Sequence, residues 1–562
     1  MASGRREILK GLAITGAFAS TRANAAPAAT KTGFSPASCQ GLTGLSFDAA
    51  EQKQMLGALE ENVERARAIA QLRLDNALPP AELFNPCLPG WQPRPPAGSI
   101  AATPHLPQRP DTGEAIAFAP AWQQAGWIAA RRLGARELVD IYLGRIADRA
   151  PRLQCIATLT ADQARAEATA LDRETAAGKS RGPLHGLPYG LKDLIDTAGI
   201  RTAWGAEPYR DRVPAHDATI VQRLREAGAV LIAKTTCGAL AYGDIWYGGR
   251  TRNPWNIEEG SSGSSAGSAA AVADGLCSFA IGTETMGSII APAARCGTVG
   301  LRPTFGHVPR TGAMALCWSL DKIGVLARDT IDTHAVLSAI HGQDGEDPCA
   351  VDQRVSPLPA VDPAAVAIGY RPEWFIDGPP TDRRALEAAR RAGFRLVEID
   401  LPATDVALLG GIVALESAAA FRELTADGRD AMLAWQDDTA WPNTWRAAQF
   451  ETAVNYIQAQ RVRRKLMVEF AHAMQGVDAI LHPNEAGHLL PIGNFCGYPA
   501  LIVPAGTIEQ PTREGFTDYI APEHVAPGAK LHKVPFGITL TGHLFDEARL
   551  IGIGSTIASG LG

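Results

Sequence analysis

The chain has 562 residues, of which 46% are hydrophobic and 20% are charged, and its formal net charge is -6. This composition is ordinary for a globular protein, and the length allows one large core or about two to three domains. The negative net charge excludes an overall basic field that could hold nucleic acid or acidic lipid. No apolar run approaches the ~20 residues that a membrane-spanning helix needs.

The first residues have the features of a twin-arginine export signal. Arg5 and Arg6 precede a mildly apolar stretch at 11–20, and Ala23-Asn24-Ala25 supplies the small residues of a cleavage site. The alternative is a disordered basic tail. We predict that residues 1–25 are a signal peptide and that the mature protein is periplasmic or secreted.

Residues 26–114 are predicted to form a helical and proline-rich N-terminal extension. The segment 48–74 carries apolar residues at helical spacing and predicts an amphipathic helix. The segment 79–110 is dense in proline and predicts an extended segment that lies on the body of the protein or links to it. From about residue 115 onwards the pattern becomes that of an α/β protein.

The helices and strands of this domain are predicted from apolar periodicity and from short apolar runs. The region 384–475 is predicted to be mainly helical. Predicted helices span 137–150, 162–178, 219–227, 330–341, 447–474 and 547–559. Predicted strands or buried apolar runs span 229–234, 277–281, 320–328, 366–370, 479–481 and 500–504.

Two loops rich in glycine and serine lie within 260–303. They are GSSAGS at 263–268 and ETMGS at 284–288, and a predicted alanine-rich helix and the run 277–281 separate them. Small residues let two such loops approach each other, and a serine there can face the same point as backbone N–H groups. The alternative is a flexible linker, which the intervening helix and strand disfavour.

Lys192 lies in the run 189–195, which is apolar apart from Lys192 and Asp193. Desolvation disfavours the ammonium form and lowers the pKa of a lysine, which turns it into a base near neutral pH. Taken by itself, however, the run favours a snorkelling lysine or a salt bridge to Asp193 or Asp196.

Two further serine motifs compete for the role of nucleophile. Ser265 is the serine of a G-x-S-x-G motif, but that motif must follow a strand, and none is predicted before it. Ser319 and Lys322 match S-x-x-K, which needs a helix to bring the lysine one turn from the serine. Here an apolar segment follows Lys322 directly, which does not indicate such a helix. Both motifs are therefore disfavoured.

A third arrangement combines Ser288 with Ser264 and Lys192. The blocks around these residues resemble the amidase signature family of serine amidohydrolases. The resemblance runs from about residue 115 to the C-terminus and includes GLPYGLKDLIDTAG, RNPWN, GSSAGSAAAVADG, GTETMGSIIAPA and GYPALIVPAG. It implies an α/β fold with a single large twisted mixed β-sheet flanked by helices on both faces, and it makes 115–562 the catalytic domain.

The resemblance implies a Ser–Ser–Lys triad. Ser288 is the expected nucleophile, and Ser264, in a cis peptide after Gly263, is expected to bridge it to Lys192. A serine hydroxyl needs an adjacent base to attack, and the hydroxyl of Ser264 can both donate and accept. The expected oxyanion hole consists of the backbone N–H groups of Thr285, Met286, Gly287 and Ser288. Supporting roles are expected for Gly263, Ser265, Ser268 and, as a structural partner of backbone groups, Asp193.

The chain departs from the family pattern at three positions. Met286 stands where the family usually has glycine, which is expected to narrow the site. Glu284 replaces the usual aspartate. Ile290 stands where an arginine is frequent, so a charge near the site is expected to be lost and apolar substrate groups to be favoured.

The sequence therefore predicts an exported amidase that hydrolyses a carboxylic amide C–N bond through an acyl-serine intermediate. No metal, nucleotide or other cofactor is expected, since the nine cysteines show no metal-ligand spacing. The expected partner is a small-molecule amide and not nucleic acid, and a homodimer is left open. Alternatives are an esterase or carbamate hydrolase with the same triad, and an inactive binding protein. An amidotransferase component that acts on charged tRNA is disfavoured by the export signal.

Specificity is predicted to lie in the segments 205–250 and 400–460, which match no strong motif. Tyr242, Trp246 and Tyr247 offer three aromatic rings there. Each ring either lines a pocket or belongs to the core, and the sequence does not distinguish the two.

Overall fold

The computed structural model describes residues 48–50, 52–54, 75–78, 81–95, 99–102, 104–484, 486–515 and 517–561. The expected signal peptide and most of the expected helix 48–74 lie outside these residues and stay predictions. Residues 81–95 form neither helix nor strand, as their proline content predicts. Within the described part of the chain, no helix combines the length and the apolar character needed to cross a membrane.

Fifteen strands occur in the described residues, and eleven of them form one sheet. The four outside it form two small hairpins, β4 with β5 and β6 with β7. In chain order the strands are β1 (Ile156–Leu159), β2 (Pro188–Lys192), β3 (Val230–Thr235), β4 (Ile245–Trp246), β5 (Gly249–Arg250), β6 (Arg252–Asn253), β7 (Asn256–Gly260), β8 (Phe279–Glu284), β9 (Val299–Arg302), β10 (Lys322–Ala327), β11 (Ala367–Tyr370), β12 (Arg395–Glu398), β13 (Ala479–Pro483), β14 (Ala500–Pro511) and β15 (Leu531–Gly542).

The large sheet is mixed, as expected. Its strand order is β1-β3-β2-β8-β10-β9-β14-β15-β13-β11-β12. Strand β2 runs parallel to both β3 and β8, and β11 runs parallel to β12 and β13, whereas the other neighbours are antiparallel. Every residue of β2, β3, β8 and β10 is buried, which requires that the sheet is covered on both faces.

The helices connect these strands and cover the sheet. In chain order they are α1 (Gly113–Phe118), α2 (Ala121–Ala129), α3 (Ala135–Leu153), α4 (Ala161–Ala176), α5 (Thr219–Glu226), α6 (Ala266–Ala273), α7 (Ile290–Cys296), α8 (Thr330–Ile340), α9 (Pro380–Ala392), α10 (Gly410–Ala420), α11 (Arg422–Ala426), α12 (Trp441–Ala448), α13 (Ala453–Ala473), α14 (Leu489–Cys496) and α15 (Glu547–Ser559).

The region 384–475 is less uniformly helical than expected. It contains the edge strand β12 and a series of short helices before the long helix α13. Strand β12 pairs in parallel with β11, and its residues are exposed or half-buried. Its place in the sheet therefore depends on pairing with a distant strand, which local apolar periodicity does not reveal.

Candidate active site

The predicted site residues meet at one edge of the large sheet. Lys192 ends β2 and Glu284 ends β8, and these strands are parallel neighbours, so their carboxyl ends lie side by side. Ser288 follows in the short loop between β8 and α7. The Ser265 N–H donates to the Ser288 carbonyl at 3.0 Å, which joins this loop to the segment that precedes α6.

Lys192 is fully buried and is surrounded by hydroxyl groups. Its Nζ lies 2.8 Å from Ser264 Oγ, 3.0 Å from Ser265 Oγ and 2.8 Å from Thr283 Oγ1. Burial lowers its pKa from 10.5 to about 7. The amine is therefore largely uncharged just above neutral pH and can accept a proton.

The alternative predictions for Lys192, a snorkelling side chain or a salt bridge to Asp193 or Asp196, are wrong. Its Nζ contacts hydroxyls and the Thr283 carbonyl and makes no ion pair in the described structure. Asp193 instead accepts the Ala203 N–H at 3.0 Å, in agreement with a structural role towards the backbone. Asp196 forms an ion pair with Arg212 at 2.6 Å.

The peptide bond between Gly263 and Ser264 is cis. The Ser264 side chain is fully buried against Lys192, while Gly263 is half-buried. A Cβ atom on Gly263 would lie 1.9 Å from the Gly243 carbonyl oxygen. Only glycine fits there, because two backbone segments are in direct contact at this point.

The hydroxyls of Ser265 and Ser268 form hydrogen bonds with backbone groups of β8. Ser265 Oγ donates to the Thr283 carbonyl at 3.0 Å and accepts the Thr283 N–H at 3.1 Å. Ser268 Oγ donates to the Ile281 carbonyl at 3.0 Å. These bonds tie α6 to β8, and the burial of Ser265 argues against its use as the nucleophile of a G-x-S-x-G motif.

Ser288 is half-buried and follows Gly287, whose φ is +116°. In the described structure its hydroxyl makes no hydrogen bond to Ser264 or to any other group. The backbone N–H groups of Thr285, Met286, Gly287 and Ser288 likewise have no acceptor among the described residues. Four consecutive free donors beside a free hydroxyl form an arrangement that can receive an oxyanion.

The Glu284 side chain bonds across the loop from Thr285 to Ser288 and so holds its two ends together. Glu284 Oε2 accepts the N–H groups of Ile289 and Ile290 at 2.9 and 3.0 Å, and Oε1 accepts Arg302 Nη1 at 2.7 Å. The side chains of Glu284 and Arg302 are fully buried. Burial opposes ionisation of Glu284, but Arg302 and these N–H groups outweigh it, so the pKa of Glu284 is lowered.

One expectation about the family departures is corrected by burial. The expected loss of a charge at position 290 stays a prediction, since the nearby guanidinium of Arg302, from β9, is ion-paired with Glu284. The Ile290 side chain is itself fully buried in the main apolar core, so it cannot select substrate groups. Met286 is half-buried and packs on a second apolar cluster that includes Leu489 and Ile492.

Several residues that shape the site escaped prediction. Asp321 accepts the Thr285 hydroxyl at 2.6 Å and also the N–H groups of Leu316 and Cys317. Asn494 donates to Glu284 at 2.9 Å. Asp321 lies in the block SLDKIGVLARD at 319–329 and Thr283 lies in GTETMGSIIAPA, so both could have been found there, whereas no local signal marks Asn494. No cluster of three or more His, Cys, Asp or Glu side chains in the described part of the chain could hold a metal ion.

The three aromatic rings take two different positions. Tyr242 packs between Trp435 and Trp441, with 4.9 Å between ring centroids in both pairs. Trp246 and Tyr247 pack against each other at the hairpin of β4 and β5.

The sequence model of the family described as Amidase matches residues 137–551. The chain belongs to the amidase signature family. A glutamyl-tRNA(Gln) amidotransferase subunit of Roseiflexus sp. (strain RS-1) is 35% identical over 450 residues, which cover 74% of this chain and 91% of that protein. The corresponding protein of Geobacter sulfurreducens is 34% identical over 67% of this chain and 88% of that protein.

Solved amidase structures share the fold. The peptide amidase of Stenotrophomonas maltophilia matches with a TM-score of 0.66 and 31% identity, over 78% of this chain and 96% of that chain. A fatty acid amide hydrolase matches with a TM-score of 0.66 over 81% of this chain and 87% of that chain, but at 22% identity it bears on the fold alone.

Proposed function

We propose that this family member is an amidase that cleaves a carboxylic amide C–N bond through an acyl-serine intermediate on Ser288. The observation that carries the proposal is the buried Lys192 amine, 2.8 Å from Ser264 Oγ and with a pKa lowered to about 7. A base of this kind next to a serine loop with free N–H donors suits acyl transfer.

In the proposed reaction, protons pass along the three side chains. As the Ser288 oxygen attacks the amide carbon, Ser288 gives its proton to Ser264, and Ser264 gives its own proton to Lys192. The N–H groups of Thr285 to Ser288 stabilise the oxyanion. The reverse transfer protonates the leaving amine as the C–N bond breaks. Water then repeats the sequence and releases the acid.

The relay requires the hydroxyls of Ser264 and Ser288 to come within hydrogen-bond distance. The bond from Ser265 N–H to the Ser288 carbonyl keeps the two loops adjacent. Catalytic hydrogen bonds that are long in a free enzyme commonly shorten when substrate binds. In the proposed mechanism, binding of the amide therefore brings the Ser264 and Ser288 hydroxyls within hydrogen-bond distance.

We further propose that the enzyme is exported, on the basis of the signal-like residues 1–25. A second candidate function is that of an amidotransferase component, which the 35% identity to such a protein favours. The two functions differ in what the isolated chain can do. A small-molecule amidase hydrolyses amides alone, whereas a component of a tRNA-dependent complex is expected to need its partner chains and charged tRNA.

Labelling with a fluorophosphonate tests the proposal. We expect the parent protein to be labelled stoichiometrically and to release amine from members of a panel of aliphatic amides, anilides, peptide amides and carbamates, with esters assayed in parallel by the alcohol that they release. Ser288→Ala should abolish both the label and turnover. Ser338→Ala, which removes an exposed helical hydroxyl, should behave as the parent. An unlabelled parent without turnover would overturn the small-molecule amidase and leave the amidotransferase component or a binding protein. Preferred ester or carbamate turnover would redefine the substrate class.

A further inference from the structure

A cavity of about 280 Å³ lies between the N-terminal extension, helices α10 and α13, and the turn that precedes β10. We propose that this cavity binds a small organic carboxylate with an apolar body, and that Arg463 and Arg464 hold the carboxylate group. The volume is close to the lower end of the ~300–1,000 Å³ range of small-molecule sites. The proposal concerns a second site and goes beyond the proposed amidase function.

The cavity is separate from the proposed catalytic centre. The three residues of the proton relay are not among the described residues that line it. The turn 316–321 connects the two places. Trp318 and Ser319 line the cavity, and Asp321, at the end of the same turn, accepts the Thr285 hydroxyl at 2.6 Å.

A buried guanidinium forms part of the cavity wall. The Arg463 side chain is 1% exposed. Its Nε donates to the Phe495 carbonyl at 2.7 Å, and Nη1 and Nη2 donate to the hydroxyl and the carbonyl of Ser319, both at 2.9 Å. A guanidinium carries five N–H groups. Three are used here, so the others have no acceptor among the described residues and are available to a ligand.

Arg463 has no carboxylate partner in the described part of the chain. Glu416 is also buried, but it reaches Arg463 only through the Ser319 hydroxyl, which donates to Glu416 Oε1 at 2.6 Å. The Tyr456 hydroxyl also donates to Oε1, and the Ser319 N–H and the Cys317 thiol donate to Oε2. Burial lowers the pKa of Arg463 to about 10, because these anions do not offset its desolvation. A bound anion would supply the missing charge.

Arg464 adds a second cation to the cavity. It is exposed, and it has no ion-pair partner among the described residues. Guanidinium groups bind carboxylates through charge-assisted and frequently bidentate hydrogen bonds. Glu82 also lines the cavity, but its carboxylate is exposed to water. Since the oxygens of Glu416 are already occupied, the unused hydrogen-bonding groups of the buried wall are donors, which favours an anionic ligand.

The rest of the cavity wall is largely apolar. Its apolar residues are Leu83, Phe84, Trp318 and Met467. The Phe84 ring also lies against Arg463, whose guanidinium carbon is 3.5 Å from the ring centre. A free phosphate ion would use the guanidinium groups but would gain nothing from these side chains. A carboxylate that carries an apolar body uses both parts of the wall.

The alternative is that this network only braces the turn 316–321. In that case Arg463 serves Ser319 alone, and Arg464 is a hydrated surface residue. That role predicts no saturable binding of a carboxylate. Measured binding to variants of the exposed residues of the cavity therefore separates the two roles.

Isothermal titration calorimetry of the full chain with phenylacetate tests the site. We expect saturable binding of one equivalent, and we expect added salt to weaken it. 2-Phenylethanol has the apolar body without the charge, and inorganic phosphate has the charge without the body. Each should bind at least about tenfold more weakly than phenylacetate, because each loses one of the two kinds of contact.

Three variants at exposed positions give the test its controls. Arg464→Ala should weaken phenylacetate binding about five- to tenfold. Arg461→Ala is the matched control, because Arg461 lies on the same helix, donates to Gln458 at 2.9 Å and is not among the described residues that line the cavity. It should bind phenylacetate as the parent does. Glu82→Gln removes a like charge and should tighten binding about twofold.

The outcomes distinguish this site from the catalytic one. Equal affinity of the parent and Arg464→Ala would place phenylacetate elsewhere and would overturn the proposal, as would the absence of saturable binding. Equal binding of 2-phenylethanol or of phosphate would overturn the recognition of a carboxylate with an apolar body. Weaker binding by Glu82→Gln would contradict an anionic ligand. Because calorimetry needs no turnover, failure of the protein to hydrolyse amides would overturn the amidase function alone.

Discussion

The Lys192 amine shows how a single residue acquires its chemistry from burial. A lysine on the surface is charged at neutral pH, whereas here desolvation lowers the pKa to about 7 and hydroxyls replace water around Nζ. Lys322 is also fully buried, and desolvation together with the neighbouring Arg302 lowers its pKa to about 7. Its Nζ, however, donates to the Leu320 carbonyl and not to a serine. Burial alone therefore does not make a lysine a catalytic base.

The pH dependence of amide hydrolysis should report the Lys192 amine. Because the neutral amine is the base and its pKa is lowered to about 7, kcat/KM should rise with pH and reach half of its plateau near pH 7. Lys192→Arg, which stays charged, should be inactive at every pH. Lys322→Met should keep the same limb of the profile. If the rise of kcat/KM near pH 7 disappeared in Lys322→Met, the rise would report Lys322 and not Lys192.

Glu284 is expected to affect Ser288 indirectly, by holding Arg302 and the start of α7 in place. Replacing it by glutamine leaves the buried Arg302 without its counter-charge, which costs about 3–5 kcal/mol of stability for a broken buried pair. The two N–H groups at the start of α7 would also lose a charged acceptor. We expect Glu284→Gln to slow fluorophosphonate labelling of Ser288 and Glu284→Asp to recover part of the rate. Unchanged labelling of folded Glu284→Gln would contradict this role.

At the level of elements, the site depends on two loops that must touch without side chains between them. The segment before α6 contacts Gly243 through Gly263 and contacts the loop after β8 through Ser265 and Ser288. The glycine-rich composition of these loops is therefore a steric requirement. It is not a sign of flexibility.

Gly263→Ala should displace the Ser264 loop, since its Cβ would clash with the Gly243 carbonyl. A displacement of about 1 Å can cost on the order of 100-fold in rate, and we expect a loss of that size in labelling. Gly144→Ala is the matched control, because this exposed glycine inside α3 has no atom within 4 Å of the new Cβ. It should stabilise the protein by about 0.5–1 kcal/mol with normal labelling. Equal labelling of the two variants would show that the contact is dispensable.

At the scale of the whole molecule, described parts of the N-terminal extension are joined to the catalytic body. Arg94 forms an ion pair with Asp478 at 2.5 Å, and the Arg463 guanidinium lies 3.5 Å from the centre of the Phe84 ring. Asn76 donates to the Ala315 carbonyl at 2.9 Å and accepts the Ala315 N–H at 2.8 Å. The Asn76 contacts attach the extension next to the turn that holds Asp321, because Asp321 accepts the N–H groups of Leu316 and Cys317.

Asn76→Ala should therefore destabilise the protein by about 1–3 kcal/mol, because the half-buried Ala315 groups lose their partners. Urea unfolding measures the change. Leu78→Ala, at a side chain that is 57% exposed, should stay within about 0.5 kcal/mol of the parent. Similar midpoints for both variants would mean that the extension does not brace the body.

The sequence by itself identified the family, the mixed sheet and most central elements. The helices predicted at 330–341 and 547–559 occur at Thr330–Ile340 and Glu547–Ser559, and the run at 229–234 is β3. These elements are determined locally, since their apolar residues repeat at the period of the element itself. Lys192, Ser264 and Ser288 were predicted for a related reason, because each lies in a short block whose residue types the proposed chemistry requires, and the structure places Lys192 Nζ 2.8 Å from Ser264 Oγ.

Only the tertiary structure decided which distant groups meet. The pairing of Arg302 with Glu284, the burial of Ile290 and the separation of Tyr242 from Trp246 depend on strand register and on contacts between remote segments. Arg302 reaches Glu284 because β10 lies between β9 and β8 in the sheet and sets their spacing. A side chain's environment is produced by the packing of the whole sheet, and no spacing within one segment specifies it.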